Sequence, residues 1–336
     1  MNRRVLPLAF LAALLHQAVR AEYKPELNLS TNVSEHTSWG RAGKRFADAV
    51  RYQTRGRIRI KTHYDGQFFK GKQTSEFQLL QDGTADFAIG STINWSPQVN
   101  ELNLFAMPFM FSRFSELDAV EEGEPGRLLF SVIRQRDVIP LAWGENGFRE
   151  ITNSKRPIRW PEDLDGLKIR TVGVPILLET FQALGANPVS LNWAEAQIAF
   201  RNGTVDGQEN PLALVIPYRL YVVHKYITLW HYAIDPLILA VSAKTWVSLS
   251  LEDRDILQRV ATAVMAEQKK EARDGLDETM ALSEILKNIY EMDVVRLTGD
   301  EREAFRARTR PVYEKWAPSI GLDLVRAAEH LVAGTK

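Results

Sequence analysis

The chain contains no cysteine, which excludes a disulfide framework and any thiolate chemistry. It carries no excess of either charge. Lys plus Arg and Asp plus Glu each number 42, so nothing points to nucleic acid or an anionic membrane surface as a partner. Catalytic signatures are missing as well. There is no G-x-S-x-G nucleophile elbow and no H-E-x-x-H zinc pair. The six histidines (His16, His36, His63, His224, His231 and His330) never stand at ligand spacing on one helix face. No cofactor or metal is expected. Gly66-Gln67-Phe68-Phe69-Lys70-Gly71-Lys72 has the spacing of a phosphate-binding loop, but Gln73 follows where a magnesium-holding Ser or Thr is required.

Long apolar runs are also scarce. The first is Leu6 to Leu15, preceded by Arg3 and Arg4 and followed by Val19-Arg20-Ala21. At about ten residues it is half of what a spanning helix needs, and its flanks are those of a secretory signal peptide over residues 1–21. No second run of spanning length follows. The mature protein is therefore expected in the periplasm. Losing Arg3, Arg4 and Arg20 takes the formal charge from 0 to −3.

At 336 residues the chain exceeds one ordinary core, and its signals alternate. Leu27 to Thr31 and Arg57 to His63 read as strands, Trp39 to Val50 as a helix, Phe77 to Leu80 as a second helix stopped at Asp82-Gly83, and Phe87 to Gly90 as a strand. The rhythm resumes after Glu145, with a strand at Leu167 to Val172, a helix from Ile176, Asn187-Pro188-Val189, and a helix over Ala194 to Asn202. This predicts an α/β fold of two interwoven domains, each a mainly parallel mixed sheet flanked by helices. The expected division is 22–145 plus about 235–275, and 146–234 plus about 276–330. Ser250-Leu251-Glu252-Asp253 is an N-cap signature. The helix formers after it run to about Ile289, either as one long element across both domains or as two helices broken near Gly275.

The most telling residues are Gly166-Leu167-Lys168-Ile169-Arg170 and, some forty positions on, Asp206-Gly207-Gln208-Glu209-Asn210-Pro211. The first places a guanidinium at the end of a short strand. The second offers the Asn210 amide on a loop returned beside it. An arginine so held suits the bidentate grip of a carboxylate. Arg149, after a strand ending at Trp143, is a second candidate.

From about residue 23 to 330 the chain resembles the solute-binding proteins of TRAP transporters, the DctP-type family. The resemblance is carried by Phe46-Ala47, Leu80-Gln81-Asp82-Gly83-Thr84-Ala85-Asp86-Phe87, Pro108-Phe109-Met110-Phe111, Asn153-Ser154-Lys155-Arg156-Pro157-Ile158, Pro161-Glu162-Asp163-Leu164 and the two motifs above, in that order. It implies a clamshell binding protein, monomeric, with a long C-terminal helix spanning both domains, that captures a small organic acid and delivers it to TRAP membrane permease subunits. It further implies that the carboxylate sits on Arg170, assisted by Asn210 with Arg149 nearby. Asn32 and Ser91 match first-domain pocket positions, and Trp193 stands where a Phe is usual. His231 aligns with a position that faces the cleft in some relatives, and Trp95 is a further candidate. Thr171-Val172-Gly173 lacks an asparagine found in some sugar-acid binders, and Pro236 stands near a place where some relatives present a polar side chain.

The implied ligand is a sugar acid, an aromatic or branched 2-oxo acid, or a C4-type dicarboxylate, and the tryptophans tilt the choice toward a sugar or aromatic acid. An exported carboxylate-acting enzyme is the rival. It would need an acid–base pair, for which Glu35, His36 and Glu145 are available without a motif to arrange them. A ligand sensor docking to a receptor is a third reading.

Overall fold

The computed structural model describes residues 23–276 and 281–335; the segment read as a signal peptide lies outside them. Nine strands form one twisted mixed sheet: β1 (Leu27–Thr31), β2 (Ile60–His63), β3 (Phe87–Ser91), β4 (Val138–Asn153), β5 (Lys168–Thr171), β6 (Asn187–Ser190), β7 (Gly207–Pro211), β8 (Tyr226–Ser242) and β9 (Asp293–Arg296). Their order is β2-β1-β3-β8-β4-β7-β5-β6, with β9 beside β8. Pairs β1–β2, β1–β3, β5–β6, β5–β7 and β8–β9 are parallel, whereas β8 meets β3 and β4, and β4 meets β7, antiparallel.

β1 and β3 have neighbours on both edges, and Leu27, Leu29, Phe87, Ala88 and Ile89 are all buried. The leucines of β1 alternate with Asn28 and Ser30, whereas β3 opens on the continuous run Phe87-Ala88-Ile89, as a strand covered on both faces does. The helix Ser38–Gln53 covers one face through Trp39, Phe46 and Val50.

The clamshell follows from β4 and β8, whose 16 and 17 residues run through both halves of the sheet. Their far ends pair with each other from Val138↔Ser242 to Gly147↔Asp235. Register shifts fall at Pro140/Ala142, Glu145/Gly147 and Arg149/Ile151. Opposite the last of these, β8 passes from Ala233 to Thr228 through residues that include His231 at φ +52°. Bulges bend a strand and increase its twist, which lets one ribbon serve two lobes.

Two expectations are corrected. The strand does not stop at Trp143, so Arg149 lies within β4. Nor is Asn210 on a loop: it sits in β7, opposite Glu150. Both segments read as non-strand because Glu145, Asn146, Arg149, Glu150, Gln208, Glu209 and Asn210 are polar; yet all are buried and hydrogen-bonded inside the protein, which defeats any search for alternating apolar positions.

The C-terminal run resolves as separate helices. Ser250 caps the first, its Oγ accepting from Asp253 N at 3.1 Å, and the helix ends at Arg273 before Gly275 at φ +71°. It packs on Ser38–Gln53 and β4. The helix that touches both halves comes later, Gly299–Ile320, which meets Pro175–Ala183 on one side and Asn100–Ala106 on the other.

Glu76 opens the helix Glu76–Asp82 and is fully buried. It accepts from Ser30 Oγ at 2.7 Å and from Trp95 Nε1 at 3.1 Å. Burial pushes its carboxyl up from about 4.5 to about 8, although both hydrogen bonds oppose the shift. Between those values the folded state holds a proton that the unfolded chain has released, so Glu76 lowers stability as pH rises from about 4.5 to about 8. We expect Glu76→Gln to retain the fold and to remove up to one proton's worth of that slope. Denaturant midpoints measured across this pH range check it; an unchanged slope would refute the assignment.

Candidate functional site

Four strands end at one place. Asn32 follows β1, Ser91 ends β3, Arg170 is penultimate in β5, and Asn210 is penultimate in β7. The carboxyl ends of parallel strands are where open α/β sheets leave a crevice for ligands. Here they border a tightly closed cavity of about 20 Å³, lined also by Val33, Trp39, Gln73, Asn94, Asn146, Arg149, Val172, Trp193, Leu214 and Asp235. The structure thus brings together six of the residues singled out above: Arg170, Asn210, Arg149, Trp193, Asn32 and Ser91.

Trp95 and His231 lie outside the cavity. The Trp95 ring lies against Gly90, where an added Cβ would fall 2.1 Å from the indole, and its Nε1–H is taken by Glu76. It is core, packed edge-on to Phe77. His231 stacks on Phe148 at 4.3 Å and pairs through Nδ1 with Glu150. The β8 bulge carries it away from the strand ends.

The two arginines differ in their partners. Arg149 is fully engaged: its Nε and Nη2 grip the Glu209 carboxylate, Nη1 donates to Asp235 Oδ2 at 3.0 Å, and Nη2 also donates to Glu209 O at 3.0 Å and Asn210 Oδ1 at 3.1 Å. Burial works against its charge, but Glu209 and Asp235 outweigh it and hold the guanidinium above its ordinary value. Tyr232 donates to Glu209 at 2.7 Å. Asp235 further accepts from Ser91 Oγ at 2.6 Å and Asn146 Nδ2 at 2.8 Å.

Arg170 has no such escort. Only 1% exposed, it donates from Nε and Nη2 to Leu191 O at 2.9 and 2.7 Å and from Nη2 to Gln73 Oε1 at 3.4 Å. Nη1 donates to no described residue, and no carboxylate pairs with the group. Burial pushes its guanidinium down to about 10; Glu209 opposes the shift and Arg149 adds to it. Its other neighbour is Trp193, whose ring centre lies 5.4 Å from Cζ. A desolvated, unpaired cation is costly, and here it borders a cavity.

The cleft is closed. Gln73, on the loop before Glu76, donates from Nε2 to Asn94 Oδ1 at 2.9 Å. Its Oε1 accepts from Trp193 N, on the opposite half, at 2.9 Å. At the rim Tyr218 accepts from Ser34 N at 2.8 Å and donates to Asp65 at 3.3 Å. Gln73, Asn94, Asn146, Glu209 and Asp235 were not identified from sequence as site residues. Glu209 sits inside a quoted motif, but the other four carry no sequence signal that separates them from solvated loop residues. Of the acid–base candidates, Glu35 and His36 are exposed, and Glu145 pairs with Arg273 at 2.6 Å, away from the cavity.

The model of the bacterial extracellular solute-binding proteins, family 7 (DctP), matches residues 29–319. The 2,3-diketo-L-gulonate-binding periplasmic protein YiaO of Escherichia coli K12 is 27% identical over 98% of this chain and 99% of its own. Among solved structures, a TRAP periplasmic solute-binding protein from Ralstonia eutropha H16 with bound (S)-2-acetolactate superposes with a TM-score of 0.91 at 45% identity, over 93% of this chain and 100% of that one. The sugar acid-binding protein DctPAm of Advenella mimigardefordensis, in complex with galactonate, gives 0.86 at 27% identity, over 93% and 98%. No helix among the described residues is long and apolar enough to cross a membrane. With its clamshell fold, its strand-end cavity and these matches, the chain belongs to the DctP family of extracellular solute-binding proteins, the solute-capturing components of TRAP transporters.

Proposed function

We propose that this chain captures one small branched monocarboxylate, a 2-hydroxy or 2-oxo acid of about five carbon atoms, and delivers it in the periplasm to a TRAP permease without altering it chemically. The observation that carries the reading is the unpaired, buried Arg170 beside a fully paired Arg149. Arg149 and Arg170 bring two positive charges to the cavity wall; Asp235, also in the wall, and Glu209, a buried partner of Arg149, supply two negative ones. One carboxylate on Arg170 satisfies the one cation without a direct partner. A second carboxylate would meet no free cation and two existing anions, a repulsive arrangement in a desolvated site.

The walls support a short, partly apolar acid. Val33, Val172 and Leu214 face the cavity, where a polyhydroxylated sugar acid would leave hydroxyls unpaired. With Trp95 in the core, the aromatic surfaces that remain are Trp193 and Trp39, and Trp39 spends its Nε1–H on Ile89 O at 2.8 Å. The 45% identical neighbour was solved with (S)-2-acetolactate bound, a short branched monocarboxylate of this kind. The residues assigned to ligand contact are Arg170, Asn210, Trp193, Asn32 and Ser91, with Arg149 holding Asn210 and the strand ends in place. An acid–base enzyme is disfavoured, because Asp235, the carboxylate among the lining residues, is committed to Arg149.

A thermal-shift panel on residues 22–336 tests this, comparing (S)-2-acetolactate, 2-oxoisovalerate, galactonate and succinate. The branched monoacids are expected to raise the midpoint by mass action, and succinate and galactonate to leave it unmoved. Arg170→Ala should weaken binding by about 2–5 kcal/mol, roughly thirty- to several-thousand-fold. Equal shifts in wild type and variant, or a response to succinate alone, would overturn the assignment.

The arginines should also separate by stability. Arg149→Ala leaves two buried carboxylates without their cation and is expected to cost about 3–5 kcal/mol. Arg170→Ala removes an unpaired charge and should leave the ligand-free urea midpoint unchanged or higher. Equal losses in the two variants would mean that Arg170 has an internal counter-charge after all.

A further inference from the structure

Gln73 sits where the two halves of the closed cavity meet. The loop that carries it precedes Glu76 in the first half, yet its carboxamide is 3% exposed and hydrogen-bonds to groups on both sides. Its orientation is fixed by chemistry. The Trp193 backbone N–H can only donate, so the oxygen of Gln73 must face it, and the same oxygen lies 3.4 Å from Arg170 Nη2. The nitrogen then donates to Asn94 Oδ1, and Asn94 Nδ2 donates to no described residue.

A carboxylate has the shape of this carboxamide and would accept at both of those points. One oxygen would take the Trp193 N–H and the Arg170 guanidinium. The other would face Asn94, whose amide need only rotate to donate. The chain therefore places, within reach of Arg170, a buried cation with no carboxylate partner among the described residues, a neutral group in the position where an acid would neutralise that cation internally.

We propose that Gln73 is the specificity-determining residue that keeps Arg170 open to an external anion, and that its neutral amide latches the two halves without spending that charge. The proposal rests on the reading of Arg170 as the carboxylate grip, and it adds that position 73 sets the charge the cavity demands. With Gln the cavity takes a monoanion. With Glu it is already neutralised, closes on itself and refuses anions.

The test compares wild type, Gln73→Glu, Gln73→Ala and the double variant Gln73→Glu with Arg170→Ala. Ligand-free Gln73→Glu should have a smaller radius of gyration in solution scattering than wild type and a higher melting midpoint, and both gains should vanish in the double variant. Titration with (S)-2-acetolactate should show Gln73→Glu weakened by about a hundredfold or more and Gln73→Ala by about tenfold, as expected for a lost hydrogen-bonding latch.

That order is diagnostic, because a residue that only filled space would tolerate the isosteric Glu better than Ala. Gln73→Glu no more compact and no higher-melting than wild type, or gains that survive in the double variant, would overturn the proposal. So would the reverse order of affinities. If wild type fails to bind acetolactate, the choice of acid is wrong, and the ligand-free scattering and melting still decide the role of Gln73.

Discussion

The site depends on an imbalance between two buried guanidiniums. Arg149 and Arg170 come from strands on either side of β7, and both are nearly free of solvent. Arg149 is held by Glu209, Asp235 and Asn210, and this network joins β4, β7 and β8 where the two halves of the sheet meet. It is structural electrostatics: take away the cation and two carboxylates are stranded. Arg170 is held by a backbone carbonyl and a carboxamide, neither of which carries a charge. The first arginine keeps the strand ends together, and the second stands among them without a direct carboxylate partner.

Sheet topology explains why the imbalance lies in a cleft. β1 and β3 run parallel in one half, β5 and β7 in the other, and the carboxyl ends of all four converge. β4 and β8 pass between the halves without interruption, so the halves are joined by bulged ribbon rather than by loops. A flexible linker would let them separate freely. A continuous bent strand confines the motion to a few residues near Gly147 and Asp235, where Asp235 also takes part in the Arg149 network.

Much of this was legible in the sequence, and the exceptions share a cause. Arg170 was placed at the end of a short strand by its own segment, and Asn32 and Ser91 entered through the family resemblance, at the ends of strands that the sequence marks. The helices at Trp39, Phe77, Ile176 and Ala194 were legible by period and by their stop signals; Gly83 and Gly203 take the left-handed conformation at φ +76° and +70°. The illegible parts are those where polar residues are buried. The middle of β4 and most of β7 look like loop because their buried side chains are polar and find partners on each other and on other elements. Trp95 was weighed for the cavity because a tryptophan just after a strand end is ambiguous. Only the space left by Gly90 and the acceptor supplied by Glu76 decide it. Gln73 was noticed for a reason unrelated to its position, as the residue that breaks a phosphate-loop pattern, and nothing in one dimension tells that the loop folds back onto Arg170.

On the proposed function, the same imbalance gives closure its dependence on ligand. In an open cleft water solvates Arg170, and leaving it unpaired costs nothing. Closing without an acid desolvates the cation against a carboxamide and a carbonyl alone, which disfavours the empty closed state. Closing around a monoanion exchanges that penalty for a charge-assisted pair in a low-dielectric cavity. The Gln73 and Tyr218 hydrogen bonds across the cleft are formed whenever it shuts, so as latches they favour the closed form equally for every ligand, and Gln73 bears on selectivity only through its neutrality, which leaves Arg170 for the ligand. Discrimination comes from the one group whose solvation differs between empty and filled. A ligand shifts a conformational equilibrium only by its differential affinity for the two states, and in this chain that difference is concentrated on Arg170.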